Sequence, residues 1–305
     1  MNLKMHRYTA LALIPIQLAT SSYVLLTDYS FLKNRPSLYF ESEYRQVGKA
    51  KFRTESVEGS HVKYADGFGS LYFSHPVSEN NYLSWEAGYS AMKFDWKDNP
   101  RFKGDDYHIA VGSLGWVSTS IDRWRWVFTG SATVDTRSFN FGKDGVYYGF
   151  MWGRYAYSAT TGIHIGWYGH YGMENGYVQP VIGVDSRIGE KWQLNAIYPI
   201  DLSLSYLMNP SWSLTLKYAT FGRPYRHPWR IHGGIGKFKD GIFEVYASGA
   251  ELDLNYNYKA NFLAGIGGGW NFGGWILIKD RDNHHPKYYK YDDAAYGKVY
   301  LAATF

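Results

Sequence analysis

The chain has 305 residues and a formal net charge of +5, and 45% of it is hydrophobic, enough for one large barrel or two ordinary domains. Tyr, Phe and Trp number 29, 17 and 12, and Gly 33, which favours strands: aromatics fit a pleated surface, and Gly allows bends and close packing. Cys is absent, excluding a disulfide framework and a Cys-type zinc site; no block of like charges marks a nucleic-acid tail, and the aromatics follow strand periodicity, so no nucleic-acid partner is expected.

No segment reaches the roughly 18 apolar residues of a transmembrane helix. At the N-terminus, Lys4, His6 and Arg7 precede an apolar run, Tyr8 to Leu18, and then Ala19, Thr20, Ser21 and Ser22. Charge, apolar run and small residues come in the order of a secretory signal, although Pro15 and Gln17 interrupt the run. Residues 1–21 are therefore expected to be a signal peptide; a short N-terminal helix is the alternative. Residues 22–43 are read as an N-terminal extension or periplasmic segment, and 44–305 as the folded body, its first strand near Tyr44–Glu55.

From there the polarity alternates. Leu83, Trp85, Ala87 and Tyr89 share one face; the parity then changes to Met92, Phe94 and Trp96, which predicts a bulge near Ser90–Ala91. Trp124, Trp126, Phe128, Gly130, Ala132 and Val134 oppose Arg123, Arg125, Thr129, Ser131, Thr133 and Asp135, with Val127 the one exception. Aromatics fall on both faces of Val146–Tyr157. Ile163, Ile165 and Trp167 oppose His164, Tyr168 and His170. Leu202, Leu204, Tyr206 and Met208 oppose Asp201, Ser203 and Ser205; Trp212, Leu214, Leu216 and Tyr218 oppose Ser211, Ser213, Thr215 and Lys217. Leu252, Leu254, Tyr256 and Tyr258 oppose Glu251, Asp253, Asn255, Asn257 and Lys259. A helix needs apolar residues at three- and four-residue spacing, which no stretch beyond the N-terminus follows better. Gly265, Gly267, Gly268 and Gly269 lie inside an alternating run with no helix after them, so they are bend or close-packing positions, not a phosphate loop.

The linkers alternate in length. Short ones fall at Ser78–Asn81, Ser118–Asp122, Ser158–Thr161, Arg187–Lys191, Asn209–Ser211 and Lys259–Asn261; long polar ones at Lys97–Asp105, Thr136–Gly145, Gly172–Gly176, Gly222–Gly241 and Lys279–Ala295, with a tight turn at Pro199–Ile200–Asp201. Repeated alternation, aromatics near strand ends (Tyr82, Trp96, Trp124, Trp192, Trp212, Tyr256 and Tyr258) and short and long connections together predict an all-β fold. That fold is a single closed antiparallel transmembrane β-barrel of about fourteen strands, or twelve if uncertain pieces merge, with short periplasmic turns and longer outer loops.

The chain ends Tyr296-Gly-Lys-Val-Tyr-Leu-Ala-Ala-Thr-Phe305, with Val299, Leu301, Ala303 and Phe305 on one face. This resembles the terminal strand of bacterial outer-membrane β-barrel proteins, which end in an aromatic residue after alternating apolar positions. The family often has an aromatic third from the end, where this chain has Ala303. The resemblance implies that Val299, Leu301 and Phe305 form a signal read by the barrel-assembly machinery, and that the protein lies in the bacterial outer membrane among lipid and lipopolysaccharide.

The expected role is a passive, porin-like channel for small solutes, because a barrel of this width is not filled as eight strands are. A barrel enzyme acting on lipid or peptide, and a structural or adhesion barrel, are the alternatives. The lumen-facing candidates are Arg123, Arg125, His164, His170, Lys217, Glu251 and Asp253. His164 and His170, roughly 20 Å apart along a strand, are too distant to share a metal. His284 and His285, among Asp280, Asp282, Asp292 and Asp293, read as a solvated loop in preference to a metal site. Arg223, Arg226 and Arg230, with His227 and His232, form a basic loop suited to lipopolysaccharide phosphates. No catalytic Ser–His pattern, cofactor motif or metal motif is recognised.

Overall fold

The period-two pattern is realised as one sheet rolled on itself. The computed structural model describes residues 36–97, 106–173, 176–222, 241–259, 261–280 and 286–305, together with Asp282, His284 and the backbone of 224–226, 230–232 and 237–239. The strands are β1 (Ser37–Lys51), β2 (His61–Ser78), β3 (Asn81–Lys97), β4 (Asp106–Ser118), β5 (Trp124–Asp135), β6 (Val146–Ala156), β7 (Thr161–Tyr171), β8 (Tyr177–Ile188), β9 (Trp192–Tyr198), β10 (Asp201–Asn209) and β11 (Trp212–Phe221). After them come β12 (Pro224–Arg226), β13 (Arg230–His232), β14 (Lys237–Lys239), β15 (Ile242–Tyr258), β16 (Phe262–Lys279), β17 (Lys287–Tyr291) and β18 (Ala294–Thr304). β12 extends β11 along β15, and β17 extends β18 along β16, in unbroken register; β13 and β14 form a separate hairpin. What remains is a closed antiparallel barrel of 14 strands.

Neighbouring strands pair in chain order, and β1 meets β18 from Tyr39↔Thr304 to Val47↔Tyr296. The terminal Phe305 sits on this seam: its N–H donates to the Leu38 carbonyl (2.8 Å), and the Leu38 N–H donates back (3.3 Å). Closure satisfies the backbone groups that an open edge would leave bare.

The outward face is apolar all round. On β7, Ile163, Ile165 and Trp167 are 43%, 49% and 52% exposed, while His164, Tyr168 and His170 are buried. Leu114, Phe128, Ile182, Leu202, Leu216, Leu252, Ile266 and Val299 continue this exposed belt on other strands. Near the short-turn end it carries outward ring pairs, Trp124–Tyr155, Trp192–Tyr206 and Trp212–Tyr256, with centroids 5.2, 4.8 and 4.9 Å apart. Such a band with aromatic girdles is what a bilayer demands of a barrel.

Three sequence expectations about the strands are corrected. The wall opens at Ser37 and not at Tyr44, so residues 37–43 belong to β1. β3 has no bulge at Ser90–Ala91, because its register to β2 and β4 runs unbroken through Phe68↔Ser90 and Ser90↔Ile109. Met92, Phe94 and Trp96 face inward because the inner wall itself turns apolar there, and Tyr82 faces inward too, so neither Tyr82 nor Trp96 belongs to the outer girdle.

That apolar interior is a fourth correction, to the expectation that a barrel of this width is left unfilled. At the long-loop end, Val62, Phe94, Tyr107, Phe221, Phe243, Ile276 and Ile278 form one buried cluster. Phe52 and Val57 from the β1–β2 connection and Tyr289 and Tyr291 of β17 pack into it. Phe94 and Tyr107 meet Phe243 across the barrel, with centroids 5.2 and 5.0 Å apart. A second cluster around Val117, Val127, Trp152 and Val181 backs the β2–β9 wall, which explains the apolar Val127 and the aromatics on both faces of β6.

Candidate functional site

The polar part of the lumen lies between these clusters. Alternation turns Glu41, Glu43 and Arg45 of β1, Asp66 of β2, Lys217 of β11, Glu251 and Asp253 of β15 and Lys298 of β18 inward. The Lys298 ammonium lies 2.6 Å from Glu251, 3.0 Å from Asp253 and 3.5 Å from Glu43. The Lys217 ammonium lies 2.8 Å from Glu251 and 3.2 Å from Asp253. Arg45 donates to Glu43 (2.6 Å), approaches Asp66 (3.9 Å) and rests 4.4 Å above the Phe221 ring. Burial makes each charge costly alone, so the lattice stands only as a set.

Its geometry depends on glycine. Lys298 and Asp253 are separated by β16, where Gly267 pairs with both. A side-chain carbon at 267 would collide with Asp253 Oδ1 and stand 2.9 Å from Lys298 Cε. The bare backbone of Gly267 is what lets Lys298 cross a strand to reach β15. The device recurs at Gly162 of β7, beneath the Arg154–Asp185 pair (2.6 and 2.7 Å), where a Cβ would collide with Arg154 Nε.

In this second node His164 Nδ1 accepts from the Trp152 indole N–H (2.9 Å), leaving Nε2 to donate to Asp185 (2.5 Å). Both ring nitrogens are engaged, so His164 ties β6, β7 and β8 together and offers no free base.

Beside the lattice lies a cavity of about 490 Å³. It runs from Asn257 and Leu263, next to the short turn before β16, to Ile200, Asp201 and Thr220. Ser203, Ser205, Ser213, Thr215, Asn195 and Asn255 line the side facing the charges. The far end coincides with the lowest part of the wall. β9 and β10 have only 7 and 9 residues; their ladders to β8 and β11 end at Ile182↔Tyr198 and Leu202↔Tyr218, although both neighbours continue toward the loop end. The result is a notch with Asp201 on its rim.

No family model matches the chain. An uncharacterised protein of Chlamydia pneumoniae is 24% identical over 88% of each chain, and one of Chlamydia trachomatis serovar D is also 24% identical, again over 88% of each. Among solved structures, a deletion mutant of the monoaromatic hydrocarbon channel TodX matches 90% of this chain and 91% of its own, at 7% identity and a TM-score of 0.48. An outer-membrane channel from Pseudomonas putida F1 matches 92% and 98%, at 9% identity and a TM-score of 0.46. A closed wall with an apolar outer belt stands here in its own right. The chain has the fold of a transmembrane β-barrel.

Within this barrel the sequence-derived candidates separate. Lys217, Glu251 and Asp253 meet in the lattice. Arg125 is buried on the inner face opposite Arg154, and His164 belongs to the second node. His170 lies between the Tyr148 and Tyr177 rings, centroids 5.2 and 5.1 Å away, apart from His164. Arg123 is a correction: it occupies the turn before β5 with φ 59° and a 60% exposed side chain, because the turn needs one residue in left-handed conformation there. Val299 and Leu301 face outward beside the seam. Arg223, His227 and His285 lie outside the described residues; Arg226, Arg230 and His232 fall in β12 and β13, within the long connection after β11. Asp280 caps a loop turn by accepting from the backbone N–H groups of Asp282 and His284. Among the described residues no group of three His, Cys, Asp or Glu is placed to hold a metal. Sequence reasoning missed Glu43, Arg45, Asp66 and Lys298. The alternation Glu41-x-Glu43-x-Arg45 is the available signal for the first two, and a first strand beginning near Tyr44 leaves Glu43 outside it.

Proposed function

We propose that the protein is an outer-membrane channel for small polar solutes, and that solutes pass through the cavity between the short-turn mouth and the β9–β10 notch. The observation that carries this reading is the extent of that cavity: polar groups line it from Asn257 to Asp201, while apolar side chains fill the lumen beside it. Water and hydrated solutes need such groups, because an apolar path would strip hydration without replacement. On this reading residues 1–21 are a signal peptide lost on export, and the Val299–Phe305 strand is presented to the assembly machinery. The connection bearing Arg223, Arg226 and Arg230 faces lipopolysaccharide phosphates.

The test is single-channel recording of the refolded protein in a planar bilayer. Discrete conductance steps are expected, and Ser203→Trp, which places an indole in the cavity, reduces them by more than half. A silent bilayer from protein that migrates as a folded barrel, or steps unaffected by the indole, would refute the proposed route.

A further inference from the structure

The cavity carries an uneven charge inventory. Glu41, Glu43, Asp201, Glu251 and Asp253 line it against Arg45, Lys217 and Lys298, five carboxyl groups to three cations. All three cations are committed to the central lattice, with contacts to Glu43, Glu251 and Asp253 of 2.6 to 3.5 Å.

The two remaining carboxyl groups stand at opposite ends. Glu41 lies near the short-turn mouth, level with Ala302 and Leu263, and its described partners are hydroxyls: Tyr72 at 3.0 Å, Ser70 at 3.3 Å and Tyr39 at 3.4 Å. Asp201 lies on the notch rim and accepts from the Asn195 amide at 2.9 Å. Neither has a cation beside it among the described residues. The route therefore carries a carboxyl group at the notch rim and another, held by hydroxyls, near the short-turn mouth, and its ammonium groups are already shared between carboxylates. An arriving anion meets no free cation among the described residues lining the cavity; an arriving cation meets the Asp201 carboxylate at the rim.

We infer that the channel discriminates by charge, admitting cations, with ammonium-type solutes among them, in preference to anions, and that Asp201 at the notch rim sets this preference. The inference rests on the channel reading and deepens it. The one excess charge at the rim, about 6 Å from the solute path, in water-like dielectric and screened at physiological salt, corresponds to a cation preference of roughly threefold.

The experiment is the zero-current potential of the full chain across a tenfold KCl gradient, read from open-channel currents. A cation-selective pore makes the dilute side positive. Asp201→Asn, a change on the rim, brings the permeability ratio toward one, and Lys217→Gln, which frees a carboxylate, moves it further toward cations. Open-channel currents with no cation preference, or a preference unmoved by Asp201→Asn, overturn the inference and leave the channel standing. A silent bilayer overturns the channel, and the inference with it.

Discussion

Exchanging glycine for alanine at two positions of this barrel should act with opposite sign. At Gly267, on the inner face of β16, the new methyl group would overlap Asp253 Oδ1 and press on Lys298 Cε. Lys298, whose side chain is 1% exposed, would be pushed off Glu251 and Asp253, leaving two buried carboxylates to share Lys217. Separating a buried ion pair costs about 3–5 kcal/mol, so Gly267→Ala should destabilise the barrel by about 3 kcal/mol or more. At Gly130, on the outer face of β5, nothing lies within 4 Å of the added carbon. There the exchange removes only the conformational cost of glycine in a strand, and Gly130→Ala should stabilise by about 0.5–1 kcal/mol. Urea unfolding of protein refolded in liposomes, followed by the fluorescence of its 12 tryptophans, gives both values. Lys298→Met should reproduce most of the Gly267→Ala loss, and the double variant should cost less than the two losses added, because both remove one interaction. Equal midpoints for the two alanine variants, or strict additivity with Lys298→Met, would refute the strand-crossing lysine.

Three further outcomes follow. Asp185→Ala strips Arg154 and His164 of their shared partner and should lower stability by about 3–5 kcal/mol in the same unfolding assay; a loss below about 1 kcal/mol would mean that the node is not a buried charge pair. Ile165→Arg, at the centre of β7 and outward, should cost about 2–4 kcal/mol in a bilayer, measured against wild type in liposomes, and no loss would contradict the lipid-facing assignment. The unboiled protein should migrate differently from the boiled one in electrophoresis, and a single position for both would contradict a closed barrel.

The strands, their number and the order of short and long connections were legible because each depends on neighbours in sequence: alternation along one strand, then a turn. What lies across the lumen was not. Parity tells that Lys298 points inward; it does not tell that Lys298 reaches over β16 to Asp253, which requires Gly267 opposite both. The apolar filling misled for a related reason. Met92, Phe94 and Trp96 look like lipid-facing residues one register out of step, and only their contact with Phe243 and Tyr289, from distant strands, identifies them as interior. Arg123 misled because a left-handed turn residue next to a clean alternating run extends the pattern by one position.

The alternating environment of each strand is tested most directly by a cysteine scan, since the chain has no native Cys to interfere. Single cysteines from 163 to 170 on β7, labelled with a fluorophore in liposomes whose acyl chains carry a quencher, should be quenched at 163, 165, 167 and 169 and spared at 164, 166, 168 and 170. Quenching that is uniform along the strand, or absent from Ile165 and Trp167, would contradict a wall with lipid on one side and a packed, partly polar lumen on the other.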